Sequence, residues 1–222
     1  MNSSLIRAIR RTVAVAVTSA VVTSLPVPAF AEATAATAPP AGKVTVEVIT
    51  VNGSGCPAGT ATVVESPDNT SFQVTFSNYV AWVGPGARPT DFRKNCQLNV
   101  LIHVPQGFTY SIAKAEYNGF ARLARGTTGL QRANYYFAGS SQNSFVSHLF
   151  SGPFSDSWQT IDVKDEASLV WAPCGASRNL NINTELRVRA GTSDPWETSF
   201  MAMHTADGSI RTVFHYSWKH CY

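Results

Sequence analysis

The sequence predicts an all-β protein, an antiparallel β-sandwich or jelly-roll-like fold of about ten or more strands with two disulfides. Three observations carry this prediction. Apolar residues recur at every second position in many short runs, and Gly, Pro, Asn or Asp ends each run. The best helical pattern, at 163–168, is one turn at most. Four cysteines follow an export signal, and disulfides form in exported chains.

Residues 1–31 have the organisation of a secretory signal peptide. Arg7, Arg10 and Arg11 give a cationic start, an apolar stretch follows, and Ala29-Phe30-Ala31 matches the pattern read by signal peptidase. Prolines interrupt the apolar stretch, which is too short to span a membrane. We therefore expect a secreted, extracellular protein with no membrane anchor. The arginine pair leaves open whether the Sec or the twin-arginine route exports it.

Removal of the signal also removes the positive charge of the chain. The full sequence has a formal net charge of +3, and the three arginines of the signal account for it. The remaining chain has fourteen basic and fourteen acidic residues, and no polybasic run survives to bind phosphates. We therefore expect no nucleic-acid partner. The oligomeric state stays open, with a monomer as the expectation.

A leader precedes the folded domain. Residues 32–43, EATAATAPPAGK, are rich in Ala, Thr and Pro and show no apolar period. Such a composition is typical of a flexible or extended segment. The single β-sandwich domain is then expected over 44–222, a length that can bury its own core.

The first five strands are predicted from clean alternation between turn signals. They are 44–48, 60–65, 71–76, 79–83 and 96–104. The SPDN segment at 66–69 predicts a hairpin between the second and third strands. GPGARP at 84–89 ends the fourth strand, and Pro105-Gln106-Gly107 ends the fifth.

The middle of the chain predicts one long strand and three shorter ones. They are 108–125, 130–137, 145–150 and 158–163. The apolar parity of the long strand shifts near 113–115, which predicts a β-bulge there. GTTG at 126–129 is a turn, and 138–144 is a loop.

The last three strands are predicted at 179–189, 198–205 and 209–218. The first of these alternates with a period of two over eleven residues, so one face is wet and one is dry. The Ala206-Asp207-Gly208 segment predicts a hairpin between the final two strands. Because those two strands carry large side chains on both faces, we place them centrally or under a covering loop.

The cysteines of the exported chain are Cys56, Cys96, Cys174 and Cys221. Four cysteines allow three pairings, and we favour Cys56–Cys96 and Cys174–Cys221, which close the two ends of the domain separately. The sequence has no C-x-x-C pair, and only His220 lies beside a cysteine, so we expect no metal.

Ordered motifs around the cysteines carry a resemblance. They are GSGCP at 53–57, RKNC at 93–96, PCG at 173–175 with LNIN at 180–183, and YSWKHC at 216–221. In these motifs the chain resembles a family of small secreted proteins of actinobacteria and fungi known as a domain of unknown function (number 4360). The resemblance implies secretion, a cysteine framework and a β-rich domain. It implies no catalytic residue, because no activity is assigned to the family.

The sequence favours no particular enzyme class. It contains no G-x-S-x-G, no H-E-x-x-H and no glycine-rich phosphate loop, so we expect no cofactor. A hydrolase stays open as a third hypothesis through the strand carboxylates Asp162, Glu116 and Glu185, which we place on outward positions, or through a histidine with a partner. The histidines are otherwise interpreted as surface or satisfied core residues; they are His103, His148, His204, His215 and His220.

A non-catalytic extracellular binding module is the main hypothesis, with a glycan or cell-envelope ligand. Sugar sites combine flat aromatic faces with amide partners. Trp196 lies in a polar loop, and Trp158 begins a predicted strand. The amides of Asn179, Asn181 and Asn183 either bind only water or contact the ligand. This hypothesis requires all five residues to converge on one concave face.

A protein-binding role, such as protease inhibition, is the alternative. It would use an exposed loop, either 84–90 or 191–198. Such loops are held by a rigid scaffold and commonly carry function.

Overall fold

A computed structural model describes residues 37–140, 145–203 and 210–221, and it confirms the all-β prediction. A 3₁₀ turn at Glu166–Ser168 is the helical element of these ranges, within the segment expected to make one turn at most. The signal peptide and His204 lie outside the described residues. The strands are β1 (Thr45–Asn52), β2 (Ala61–Glu65), β3 (Ser71–Phe76), β4 (Val80–Val83), β5 (Arg93–His103), β6 (Phe108–Leu123), β7 (Thr128–Phe137), β8 (Val146–Ser151), β9 (Phe154–Val163), β10 (Asn179–Arg189), β11 (Ser199–Ala202) and β12 (Thr212–His220).

The strands form two antiparallel sheets that enclose one core. The five-stranded sheet has the order β1-β5-β10-β7-β8. The seven-stranded sheet has the order β2-β3-β12-β6-β11-β4, and β9 also pairs with β6. The dry face of each strand turns inward, as Leu180, Ile182 and Leu186 of β10 show by their burial. The largest fully buried side chains are aromatic; they include Trp218, Tyr79, Tyr110, Tyr117, Phe72 and Phe214.

Two local predictions about pairing are confirmed. β2 and β3 form the hairpin across 66–69, with Ala61 opposite Phe76. The register of β6 against β12 shifts where Lys114 pairs with His215 but Ile112 pairs with Tyr216. The extra residue on β6 is therefore Ala113, within the predicted bulge segment.

The predicted hairpin between the last two strands is wrong. β11 and β12 do not pair with each other in the described residues; both pair with β6, β11 opposite Phe120–Arg122 and β12 opposite Phe108–Glu116. Since both are antiparallel to β6, they run in the same direction. The 16 residues of β6 give room for both strands end to end. Both strands are interior in the sheet order, as their large side chains on both faces predicted.

β8 and β9 connect the two sheets. β8 pairs with β7 in the five-stranded sheet, whereas β9 pairs with β6 in the seven-stranded sheet. The chain crosses between them at Gly152-Pro153. β9 begins at Phe154, four residues before the predicted start, so Trp158 lies in the middle of the strand.

Both favoured disulfides are confirmed. Cys56 pairs with Cys96 and Cys174 pairs with Cys221, at sequence separations of 40 and 47. The first bridge is fully buried in the core, whereas Cys174 is exposed. The two bridges therefore differ in packing although they close loops of similar length.

The described part of the leader, 37–43, packs against the domain. The Thr37 N–H donates to the Trp218 carbonyl at 3.0 Å. The side-chain amide of Asn69 donates to the carbonyls of Pro40 and Gly42 at 2.8 and 2.9 Å. These contacts join the segment to β12 and to the turn between β2 and β3.

Gly119 marks a close approach between β6, β9 and β11, which gives a first testable prediction. A Cβ at this position would overlap the carbonyl oxygen of Ala202 and the ring of Trp158. We expect Gly119→Ala to lower the free energy of unfolding by about 2 kcal/mol, because both neighbours are fixed in the core. Urea unfolding measures the loss. Arg122→Ala, at an exposed position of the same strand, should change stability by less than about 0.5 kcal/mol.

Candidate functional site

Trp196 is exposed, as the sequence predicted. It lies in the loop between β10 and β11, and 83% of its surface is accessible to solvent. Asp194 organises the turn, because its side chain accepts the Trp196 N–H at 2.9 Å and its carbonyl accepts the Glu197 N–H at 3.0 Å. The ring is therefore held out into solvent by a short, hydrogen-bonded loop.

Trp196 lines a groove on the seven-stranded sheet, which we call the tryptophan groove. Its volume is about 560 Å³, within the usual range of small-ligand sites. Arg122 and Glu197 give it charged groups of both signs, and Phe154 gives it a second aromatic ring. The remaining lining residues are Leu123, Ala124, Pro153, Ser155 and Thr198.

The expectation that Trp158 contacts a ligand is wrong. Trp158 is only 5% exposed, and its ring packs 5.4 Å from the ring of Phe150 between the sheets. Gly119 leaves the space that this ring fills. The alternation of β9 directs Trp158 inward together with Thr160 and Asp162.

The asparagine row of β10 lies on the outer face of the five-stranded sheet and is bonded to neighbouring strands. Asn179 donates to the Asn99 side-chain oxygen and Asn99 donates to that of Asn181, both at 2.7 Å. Asn183 donates to the Asn134 side-chain oxygen at 3.1 Å. A carboxamide has two N–H donors and two acceptor lone pairs, so the bonds of Asn179, Asn181 and Asn183 use only part of the capacity of these three side chains.

The register shows that further amides share this face. Asn181 lies opposite Asn99, and Asn183 lies between Gln97 and Asn134. Seven carboxamides are thus arranged on three adjacent strands: Asn95, Gln97, Asn99, Asn134, Asn179, Asn181 and Asn183. The sequence showed the amides of single strands but not that β5, β7 and β10 are neighbours.

Arginines surround Glu185 at one end of the same face. Glu185 lies 2.6 Å from both the Arg93 and Arg187 guanidinium groups and 3.2 Å from that of Arg132. Burial raises the pKa of Glu185, but the Arg93 hydrogen bond and the three positive charges outweigh burial and hold this pKa below its usual value. The Arg132 guanidinium also lies 4.4 Å from the centre of the Phe145 ring. We call this cluster, with the seven carboxamides, the arginine–amide face.

The expected composite site does not form. The tryptophan groove belongs to the seven-stranded sheet, whereas Asn179, Asn181 and Asn183 belong to the outer face of the five-stranded sheet. Trp158 lies between the sheets. The two surface features are therefore separate candidates, and each has its own chemistry.

Asp162 points inward, which corrects its predicted outward position. Its Oδ1 is 2.6 Å from Nε2 of His148, so the pair joins β9 of one sheet to β8 of the other. Burial raises the pKa of Asp162, and the contact with His148 opposes that rise. The hydroxyls of Tyr117 and Tyr135 are buried nearby, and burial with the charge of Asp162 raises the pKa of both.

Little in the sequence pointed to this pair. The apolar residues of β8 lie on both faces, because Leu149 is 79% exposed whereas Val146 and Phe150 share the inward side with His148. His148 faces inward, because it lies opposite the buried Gln131 of β7. Hydrophobic alternation therefore does not predict that a polar residue such as His148 lies on the inward face of an edge strand.

The hydrolase hypothesis receives little support from its three carboxylates. Asp162 is buried against His148, Glu185 is enclosed by three arginines, and Glu116 pairs with Lys114 and with His215 at 3.0 Å. Each carboxylate is thus engaged with basic side chains on its own part of the fold. Among the described residues, no group of three His, Cys, Asp or Glu side chains is placed to hold a metal ion.

A second groove lies beside the Cys174–Cys221 bridge. Its volume is about 670 Å³, and it is lined by Pro173 and Gly175 of the PCG motif and by His103. His103 lies 3.2 Å from Glu47 on the neighbouring strand. This groove has no aromatic side chain as exposed as Trp196.

Two disulfides and two antiparallel sheets define a disulfide-bonded β-sandwich protein. No helix in the described ranges is long and apolar enough to cross a membrane. Comparison with known families is more specific. The chain belongs to the family described as "Domain of unknown function (DUF4360)", which matches residues 42–221, and this confirms the resemblance seen in the sequence.

Individual proteins are also similar to this chain. An "Uncharacterized secreted protein" of Arthroderma benhamiae is 36% identical over 184 residues, which cover 83% of this chain and 74% of that protein. Among solved structures, the tailspike protein 4 domain of bacteriophage CBA120 covers 78% of this chain and 19% of its own, with 13% identity and a TM-score of 0.26. A deformed wing virus chain covers 99% of this chain and 62% of its own, with 12% identity and the same TM-score.

Proposed function

We propose that this is a secreted, non-catalytic binding protein that holds an extracellular glycan in the tryptophan groove. The observation that carries the proposal is the exposure of Trp196 beside a groove of suitable size. A water-exposed indole offers a flat face for the apolar side of a sugar ring. The secreted relative and the two disulfides support a location outside the cell.

The other groups of the groove suit a neutral, hydroxyl-rich ligand. Arg122 and Glu197 supply hydrogen-bond donors and acceptors, and Ser155 and Thr198 add hydroxyl groups. Phe154 extends the aromatic lining. Charged groups of both signs in one groove give no preference for an anion or a cation, so orientation would come from hydrogen bonds.

The test is binding to insoluble polysaccharides with and without the indole. We expect the protein to sediment with at least one of chitin, cellulose, β-1,3-glucan or peptidoglycan. Trp196→Ala should weaken that binding about tenfold, because it removes the stacking face. Trp196→Phe should retain most of it. Bound fractions over a series of polysaccharide concentrations give the affinities.

Leu149→Ala is the matched control for this prediction. Leu149 is also a large, exposed apolar side chain, but it lies on β8 of the other sheet. Its replacement should leave polysaccharide binding unchanged. The proposal is overturned when none of the four polysaccharides retains the wild-type protein, or when Trp196→Ala binds as tightly as wild type.

A protein partner is the second candidate, and one observation favours it. The two loops singled out for this role are adjacent, because a Cβ at Gly84 would lie 2.8 Å from the Glu197 carbonyl oxygen. Together the loops 84–90 and 191–198 would present a continuous surface around Trp196, a residue type enriched at interfaces. Inhibition of a panel of proteases by the wild type, lost in Trp196→Ala, would favour this candidate over the glycan.

A further inference from the structure

We propose that the arginine–amide face is a second binding surface, which takes an acidic polysaccharide. Carboxylates of the polymer bind the arginines around Glu185, and its hydroxyls bind the carboxamides that continue along the sheet. The surface lies on the other sheet from the tryptophan groove, so the proposal does not depend on the proposed function.

The local charge of this face indicates that its ligand is negatively charged. Arg93, Arg132 and Arg187 share the single carboxylate of Glu185, which leaves an excess of two positive charges. Arg189 lies two residues further along the outward side of β10. Without residues 1–31 the whole chain has equal numbers of acidic and basic residues, so this excess is local.

The guanidinium groups retain donors for a ligand. Each guanidinium has five N–H donors in a planar fork that matches a carboxylate. The side chains of Arg132 and Arg187 are 31% and 22% exposed, so both can offer N–H groups to a ligand from solvent. Arg93 is 44% exposed, so part of the cluster is accessible from solvent.

The amides give the reason to expect a sugar polymer instead of a simple anion. The carboxamides next to the arginines are Asn95, opposite Glu185, and Asn183, and the series continues to Asn179 at the other end of β10. Arg187 and Asn179 are eight residues apart, about 26 Å along the strand. Neutral donors and acceptors over this length suit the hydroxyls of an extended chain, with the arginines fixing one end.

Polygalacturonate and its methyl-esterified form are the probes, because they share a backbone and differ in charge. We expect the wild type to bind polygalacturonate at least tenfold more tightly than the esterified polymer at low salt, measured by isothermal titration. Binding should weaken as salt is raised, since exposed charges are screened. Side-chain NH₂ resonances of the asparagines on the face should shift when oligogalacturonate is added.

Two substitutions with opposite expected effects on affinity locate the site. Arg93→Gln removes one positive charge and should weaken polygalacturonate binding about fivefold. Glu185→Gln removes the competing carboxylate and should strengthen binding about threefold. Arg211→Gln loses the same charge as Arg93→Gln at an exposed position before β12, on the other sheet, and should have no effect. Circular dichroism confirms that each variant is folded.

The outcomes decide the proposal. Weaker binding in Arg93→Gln with unchanged binding in Arg211→Gln supports it, whether or not Glu185→Gln folds. Equal affinity for the two polymers overturns it, and so does an equal loss in the two arginine variants. Failure here leaves binding of neutral polysaccharides at Trp196 unaffected, so the two proposals are tested separately.

Discussion

Replacement of Cys56 and Cys96 together by alanine is expected to lower the free energy of unfolding by about 5 kcal/mol. The bridge closes a loop with a sequence separation of 40 residues, and loop closure of that length is worth about 4 kcal/mol in the chain-entropy view. The two sulfurs are also buried in the core, so their loss removes about 1 kcal/mol of packing. Urea unfolding followed by tryptophan fluorescence measures the change.

The second bridge provides the matched control. Cys174 and Cys221 are separated by 47 residues, so the loop-closure contribution is nearly the same. Cys174 is exposed, and its replacement removes little packing. Cys174→Ala/Cys221→Ala should therefore cost about 4 kcal/mol. Equal losses in the two double variants would contradict a packing contribution from the first bridge.

The first bridge also fixes the start of the five-stranded sheet. Cys56 follows a loop whose Gly55 N–H donates to the Asn95 carbonyl at 2.8 Å. Ser54 and Asn95 are joined by side-chain hydrogen bonds at the same place. Loss of the bridge should release this loop from β5, the strand that carries three of the amides of the arginine–amide face.

The fold could be predicted because its information is local. Alternation with a period of two identifies each strand and its inward face, and turn residues identify its end. The bulge at Ala113 was visible in the same way, as a change of parity inside one strand. An export signal with four cysteines indicated the disulfides without knowledge of any contact.

The local β2–β3 pairing could be predicted, but the partners of the other strands could not, because they depend on distant segments. The turn signal at Ala206-Asp207-Gly208 suggested that β11 and β12 pair with each other, although both pair with β6. A turn signal is compatible with a hairpin, but it is equally compatible with two strands that both pair with a third, longer strand. The sequence predicted that β6 is long, but not that β11 and β12 pair end to end along one side of it.

The candidate sites show the same limit. Trp196 was identified because no apolar pattern in its loop required burial. The arginine–amide face is built from β5, β7 and β10, which are far apart in sequence, so single strands showed only its asparagine row. Trp158 and Asp162 were misplaced because β9 turns them inward with Thr160, whereas the apolar Ile161 and Val163 lie on the exposed face.

Replacement of His148 by alanine is expected to lower the free energy of unfolding by about 3 kcal/mol at pH 7. His148 lies 2.6 Å from Asp162, whose side chain is buried. Removal of one partner of a buried pair leaves the other charge without compensation. His215→Ala is the matched control, because His215 makes the same kind of pair with Glu116 at 3.0 Å but both side chains are partly exposed. Its loss should cost less than about 1 kcal/mol.

A second substitution and a change of pH identify buried charge as the cause. Burial already raises the pKa of Asp162 above its unfolded value of 3.8, and loss of His148 removes an interaction that opposes the rise. A carboxyl with a raised folded pKa favours folding below its unfolded pKa, and that stability is lost as pH rises through the folded pKa. The loss in His148→Ala should therefore shrink between pH 7 and pH 4. His148→Ala/Asp162→Asn should be more stable than His148→Ala at pH 7 and lack this acid recovery. A double variant that is no more stable than the single one would show that the histidine acts by packing, because no buried carboxylate would then remain to explain the loss.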